Sequence, residues 1–196
     1  MSYGIEFGQN LNTVRMESYN KIYSFQSSLK DSYHAGLSIK YNFKESFGFQ
    51  SGVSYMKLGF ANSKGTEYDG IEAYLFDIHN ILIPLDFTYK TSFGLILSAG
   101  IYGAHDLNYQ KRGMADCFMG ESEFLMQLYD AADTYGSRYS LGMNLFENST
   151  FGTDIVIRYY KEHISNHDPR HPVSAESLSF SLIVNIKNVV KKPALK

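Results

Sequence analysis

The sequence predicts an all-β fold: an eight-stranded antiparallel up-and-down transmembrane β-barrel with short periplasmic turns and longer extracellular loops. Three observations carry that expectation. Segments of about ten residues alternate apolar and small polar side chains, the period-two signature of a strand with a different environment on each face. The connections between them run long, short, long, short, long, short, long, so all short turns fall at one end. The apolar positions place aromatics near both ends of the strands and aliphatics between them, the two-girdle pattern of membrane barrels.

The first strand runs from Tyr3 to Leu11, with Tyr3, Ile5, Phe7 and Leu11 on one face and Gly4, Glu6, Gly8 and Asn10 on the other. A polar segment without usable period follows, from Asn12 to Ser32. The second strand, Tyr33 to Phe43, sets Leu37, Ile39 and Tyr41 against His34, Gly36, Ser38 and Lys40. Lys44-Glu45-Ser46 turns the chain into the third strand, where Phe47, Phe49, Val53 and Tyr55 share a face and Ser51 is a polar exception among them.

After a Gly-containing loop around Gly59 to Ile71 comes the most regular stretch, Asn80 to Gly103. There Ile81, Ile83, Leu85, Phe87 and Tyr89 alternate with polar residues, Lys90-Thr91-Ser92 forms a turn, and Phe93, Leu95, Leu97, Ala99 and Ile101 resume the pattern. Pro84 cannot donate to a ladder and a closed barrel has no free edge, so Pro84 and the inward Leu82 predict a bulge in this strand. A long connection from Ala104 to Thr134 has a helical spacing over Glu121 to Ala132. The last strands are Tyr135 to Leu145, Phe151 to Tyr159 and Ser177 to Ile186, with Phe146 to Thr150 as a turn. The barrel domain is expected over residues 1–186, and 187–196 as a basic C-terminal tail.

The orientation of the faces follows from side-chain size. A soluble sandwich or ligand-binding barrel turns its apolar face inward and charges the other. Here the other face is mostly Gly, Ser, Asn and Thr, which suits the crowded interior of an eight-stranded barrel. The apolar face, including Leu97, Ile155 and Leu182, is therefore expected to meet lipid. Composition agrees: 16 Tyr and 14 Phe favour strands. No apolar run is long enough for a transmembrane helix. A net charge of −2 gives no electrostatic case for nucleic acid. The single cysteine, Cys117, excludes an intrachain disulfide. An exported barrel needs a leader, and Met1-Ser2-Tyr3 opens directly into alternation, which reads as a mature form with its leader replaced by Met1.

The small-residue face carries six charges, Glu6, Lys40, Asp86, Arg138, Asp154 and Arg158. Enclosed charges must pair or cost several kcal/mol each, so an interior ion network is expected, connected as one; a charge-lined conduction path is the alternative. His163, His167 and His171 fall at spacings of four, the spacing of stacked metal ligands on a helix. Pro169 and Pro172 break such a helix, which favours solvated loop histidines and no metal site. Asp168 and His171 hint at hydrolytic chemistry, but the sequence places no nucleophile or second carboxylate with them. No phosphate loop or dinucleotide fingerprint is present, and no catalytic residue or cofactor is assigned.

Ile83-Pro84-Leu85, Tyr89-Lys90 and Ala99-Gly100-Ile101-Tyr102-Gly103, with Gly52-Val53-Ser54-Tyr55-Met56-Lys57-Leu58-Gly59 before them, form a pattern that spans nearly the whole chain. In these residues the chain resembles the PorT-like outer-membrane β-barrel family of the Bacteroidetes, in which Pro84 belongs to the pattern. Ile101 stands where that family has proline, the family's Asp-aromatic-Gly is stretched to Asp133-Thr134-Tyr135-Gly136, and no aromatic closes the last strand. The resemblance implies an outer-membrane location. Together these readings lead to the expectation of a non-enzymatic structural or binding module that contacts the lipid bilayer and acts through its outer loops, with an outer-membrane protein as an expected partner. A membrane-embedded hydrolase and a narrow channel are the alternatives.

Overall fold

The computed structural model describes residues 1–18, 21–26, 32–61, 75–113, 133–163 and 173–187. Nine strands lie among them: β1 (Ser2–Ser18), β2 (Lys21–Gln26), β3 (Tyr33–Asn42), β4 (Phe47–Ala61), β5 (Leu75–Lys90), β6 (Leu95–Gly113), β7 (Asp133–Glu147), β8 (Phe151–His163) and β9 (Val173–Lys187). Every pairing is antiparallel. From β3 to β9 each strand pairs with the next, and β1 closes the ring by pairing with both β3 and β9. The β1–β9 seam runs unbroken from Ser2↔Lys187 to Met16↔Val173. The wall is a closed, eight-stranded up-and-down barrel.

The ninth strand, β2, arises where the sequence shows no period. It folds back on the outer half of β1, from Thr13↔Gln26 to Ser18↔Lys21, and meets β4 at Gln26↔Ala61. Two-faced alternation is imposed only where lipid and interior oppose each other; beyond the apolar band the backbone ladder continues without it. For the same reason β4, β5 and β6 outrun the strands expected from sequence, and β6 spans 19 residues where about 9–11 suffice to cross a bilayer. The helix expected over Glu121 to Ala132, Cys117, His167, Asp168, His171 and residues 188–196 lie outside the described residues. No helix among the described residues is long and apolar enough to cross a membrane.

The apolar face is outside. Leu37 is 61% exposed, Ile155 47% and Leu182 45%, and Leu97 is exposed with them. Removing such a surface from water is what the hydrocarbon does for a membrane barrel. At the short-turn end Phe43, Phe47, Phe49, Phe87 and Tyr89 pack ring against ring, with centroids 4.9 to 6.4 Å apart. Phe146 and Phe151 continue this girdle on another part of the wall, 5.5 Å apart. At the other end Tyr33 and Tyr55 lie 6.2 Å apart.

Three local expectations are corrected. The turn between β5 and β6 takes in Phe93 and Gly94; the glycine adopts φ 92°, a left-handed conformation that ends strand alternation there. β7 carries an extra residue, Leu145, between the pairs Asn144↔Asp154 and Phe146↔Thr153, so Leu145 and Phe146 both face outward, and Phe146 belongs to the strand. At Pro84 there is no bulge. The β4–β5 register is the same on both sides, Ser51↔Leu85 and Ser54↔Leu82, and the ladder skips the pairs between. The register shifts of β5 against β6 lie elsewhere, between Leu75 and Phe76 and between His79 and Asn80. Ser51 Oγ donates to the Pro84 carbonyl over 2.8 Å. Ser51, a polar residue within the apolar belt of β4, thus occupies the backbone acceptor that the interrupted ladder leaves in a lipid environment.

Candidate functional site

The barrel interior is layered. At its middle, β5 and β7 bring Asp86 and Arg138 together, 1% and 2% exposed. Arg138 Nε donates to Asp86 Oδ1 and Oδ2 over 2.8 and 2.9 Å, and Nη2 also bonds Oδ2. The guanidinium lies 5.8 Å from the centroid of the Tyr160 ring. Gly100, paired with Asp86 across the β5–β6 ladder, leaves the space the carboxylate fills: a Cβ there would collide with Asp86 Oδ1.

On the β1–β9 wall a second group forms. Arg158 Nη1 bonds Glu6 Oε1 and donates to Ser181 Oγ over 2.9 Å. His34 adds its ring: Nε2 lies 3.0 Å from both Glu6 Oε1 and Ser181 Oγ, and Nδ1 is 2.9 Å from Asn10 Oδ1. All of these side chains are buried. Gly8, paired with His34 in the β1–β3 ladder, is required by that ring, since a Cβ would strike it.

Asp154 lies nearer the short turns and takes amide donors instead, Asn144 Nδ2 at 2.6 Å and Asn185 Nδ2 at 2.7 Å. Lys40 is half-buried in the mouth of the barrel at that end. A cavity of about 260 Å³ opens there, lined by Lys40, Asn42, Lys90, Asn144, Asp154 and Lys187 among others. Glu147 binds the ammonium groups of Lys90 and Lys187, the latter over 2.5 Å.

Among the described residues these direct contacts form separate groups, which corrects the single connected network expected for Glu6, Lys40, Asp86, Arg138, Asp154 and Arg158. Val156 and Ile183 explain part of the division. Both point inward, are 3% exposed and separate Asp154 from Arg158 and Glu6 along β8 and β9. Toward the long loops the interior turns apolar: Met56, Leu82, Tyr102, Ala104 and Tyr160 pack as one cluster, with Tyr102 and Tyr160 edge to face at 5.5 Å. A small cavity of about 40 Å³ adjoins it.

Sequence reasoning passed over His34. It was on the inward face by alternation, but an imidazole carries no formal charge and was not counted with the ions. Of the three spaced histidines, His163 is described: it is exposed, lies tilted against Tyr135 with centroids 6.3 Å apart and has Nε2 3.4 Å from Ser137 Oγ. No group of three His, Cys, Asp or Glu side chains that could hold a metal exists among the described residues.

A closed antiparallel barrel with a lipid-exposed apolar belt and a polar, side-chain-filled interior defines an outer-membrane-type barrel. The chain belongs to the family of outer membrane protein β-barrel domains, whose model matches residues 1–161. Its location is the outer membrane, and its lipid bilayer is the environment of the apolar belt. No curated protein matches the chain by sequence. Among solved structures it is similar to Ail, the attachment invasion locus protein of Yersinia pestis, with 12% identity over 94% of this chain and 97% of that one and a TM-score of 0.42. Neisserial surface protein A is similar at 12% identity over 96% and 99%, with a TM-score of 0.47. The outer membrane protein OprG from Pseudomonas aeruginosa matches at 12% identity over 94% of both chains, with a TM-score of 0.47. At that identity the likeness concerns the fold alone.

Proposed function

We propose that this protein is a non-enzymatic outer-membrane barrel of the PorT-like kind. It acts as a structural or binding module through its extracellular end, as a subunit of a larger outer-membrane assembly. The observation that supports this reading best is the filled middle of the barrel. Arg138 with Asp86, and Arg158 with Glu6 and His34, occupy the cross-section with side chains locked to one another and shielded from water. Such a layer opposes solute passage and makes a rigid base. On that base β1, β4, β5 and β6 extend well beyond the length needed to cross the bilayer, and loops held on rigid strands are where recognition residues collect.

Reconstitution into planar bilayers tests the filled interior. The expected result is no single-channel step for the folded protein; regular steps would overturn it in favour of the narrow channel. Extraction from native membranes in mild detergent tests the module reading. A stoichiometric outer-membrane protein that co-purifies with the barrel supports it, and a barrel recovered alone counts against the subunit role.

A further inference from the structure

The mouth of the barrel at the short-turn, periplasmic end holds more ammonium groups than its carboxylates can serve. Lys40, Lys90 and Lys187 line its cavity together with Glu147 and Asp154. Glu147 is taken by Lys90 and Lys187. Both oxygens of Asp154 are taken by the side-chain amides of Asn144 and Asn185. Lys40 is left over. Among the described residues its ammonium makes no hydrogen bond or ion pair; Asp154 and Glu147 attract it, and Lys90 repels it, from beyond contact distance.

The ladder fixes what stands beside Lys40. Ser2 of β1 is the cross-strand partner of Lys40 on one side and of Lys187 on the other. All three residues line the cavity. At about 4.8 Å between neighbouring strands, the two lysine backbones stand about 10 Å apart with the serine between them. Lys187 also donates to the Asn148 carbonyl over 2.7 Å, so its ammonium is already engaged. Lys40 is half-buried and keeps three N–H donors to offer.

We infer that this mouth binds a hydrophilic monocarboxylate, whose carboxylate is held by the Lys40 ammonium and the Ser2 hydroxyl. The charge of the site selects that class. Three ammonium groups against two carboxylates leave one positive charge, which a single carboxylate neutralises. A dianion such as phosphate would add surplus negative charge beside Glu147 and Asp154, and like charges side by side are costly.

Size and lining describe the rest of the ligand. At about 260 Å³ the cavity exceeds a carboxylate alone and takes several further heavy atoms. Asn42, Asn144, Ser149 and Asn185 give that body hydrogen-bonding walls, which favour a hydroxylated or peptide-like group over an apolar one. A free sugar acid and the C-terminus of a peptide both present this chemistry. The site is independent of the role proposed for the extracellular end.

The test follows the backbone amide resonances of the folded, isotope-labelled protein in phosphate-free maltoside micelles. The probes are gluconate and N-acetyl-triglycine, each compared with its own neutral amide. Saturable shifts at Ser2, Lys40 and Lys187 are expected with at least one acid and with neither amide, and the acid that binds tighter identifies the source. Lys40→Gln is expected to weaken binding about tenfold, the effect of one lost charge-assisted contact. Lys44→Gln, in the exposed turn at the same end but outside the cavity, is expected to leave it unchanged. Heat-modifiable gel mobility confirms that each variant is folded, and the comparison of acid with amide stands on the wild type alone. No shift with either acid, shifts that rise without saturating, equal shifts with acid and amide, or undiminished binding by folded Lys40→Gln overturn the inference. Tighter binding of inorganic phosphate than of either acid overturns it as well, since the site would then prefer a dianion.

Discussion

Replacing Arg138 with Ala is expected to destabilise the barrel by about 3–5 kcal/mol, the cost of leaving a buried charge without its partner. The Asp86 carboxylate is 1% exposed, its bonds to Arg138 run to both oxygens, and β5 gives it no route to water. Asp86→Ala strands the guanidinium in the same way, with the face of Tyr160 as a weak substitute. The pair itself contributes far less than either truncation suggests, because both ions are desolvated. Asp86→Leu combined with Arg138→Met, close in volume and apolar, is expected to recover most of the loss. Urea titrations of protein refolded into lipid vesicles, followed by circular dichroism and gel mobility, give all three midpoints. Additive losses in the double variant would mean that the two side chains are not each other's main partners.

The second large effect concerns the outside. Leu37→Arg, halfway between Tyr33 and the girdle of Phe43, is expected to cost about 2–4 kcal/mol, the depth-dependent penalty for a cation at the bilayer midplane. The same change at Tyr135, ten residues from Leu145 and so at the outer interface, is expected to cost about 0–1 kcal/mol. A soluble protein would behave differently: Leu37 is 61% exposed, and exposed substitutions usually fall within about 0.5 kcal/mol of neutral. The same titrations distinguish the two cases, because in a bilayer the penalty follows height along the strand and in water it does not.

Much of this was legible in the sequence because the bilayer imposes one strict rule. Wherever lipid faces one side of a strand and packed side chains the other, period-two alternation results, and Tyr33 to Phe49 of β3 and β4 and Leu85 to Tyr89 of β5 follow it. Exceptions were harder to interpret. Ser51 reads as a polar exception and Pro84 as a bulge, yet each answers the other: the hydroxyl bonds the carbonyl beside the interrupted ladder. That coupling spans two strands and has no local signature. Ile96, Val156 and Ile183 face inward as apolar residues, which a polar interior does not predict; they fill the barrel between layers of ions. The interior groups were legible as residues but not as partners. Alternation says which side chains enter the barrel, while the stagger of the strands decides which of them meet. Outside the membrane the rule lapses, and β2 went unread for that reason.

Spin labels placed at Ile155→Cys and Leu182→Cys in a Cys117→Ser background, with the protein reconstituted in vesicles, address side-chain direction at the heart of the wall. The expected result is frequent collision with dissolved oxygen and almost none with a water-soluble nickel chelate, reversing at Lys161→Cys near the outer interface. Nickel reaching residues 155 and 182 as readily as 161, or neither reagent reaching them, would mean that these positions do not face lipid, and would contradict the membrane barrel.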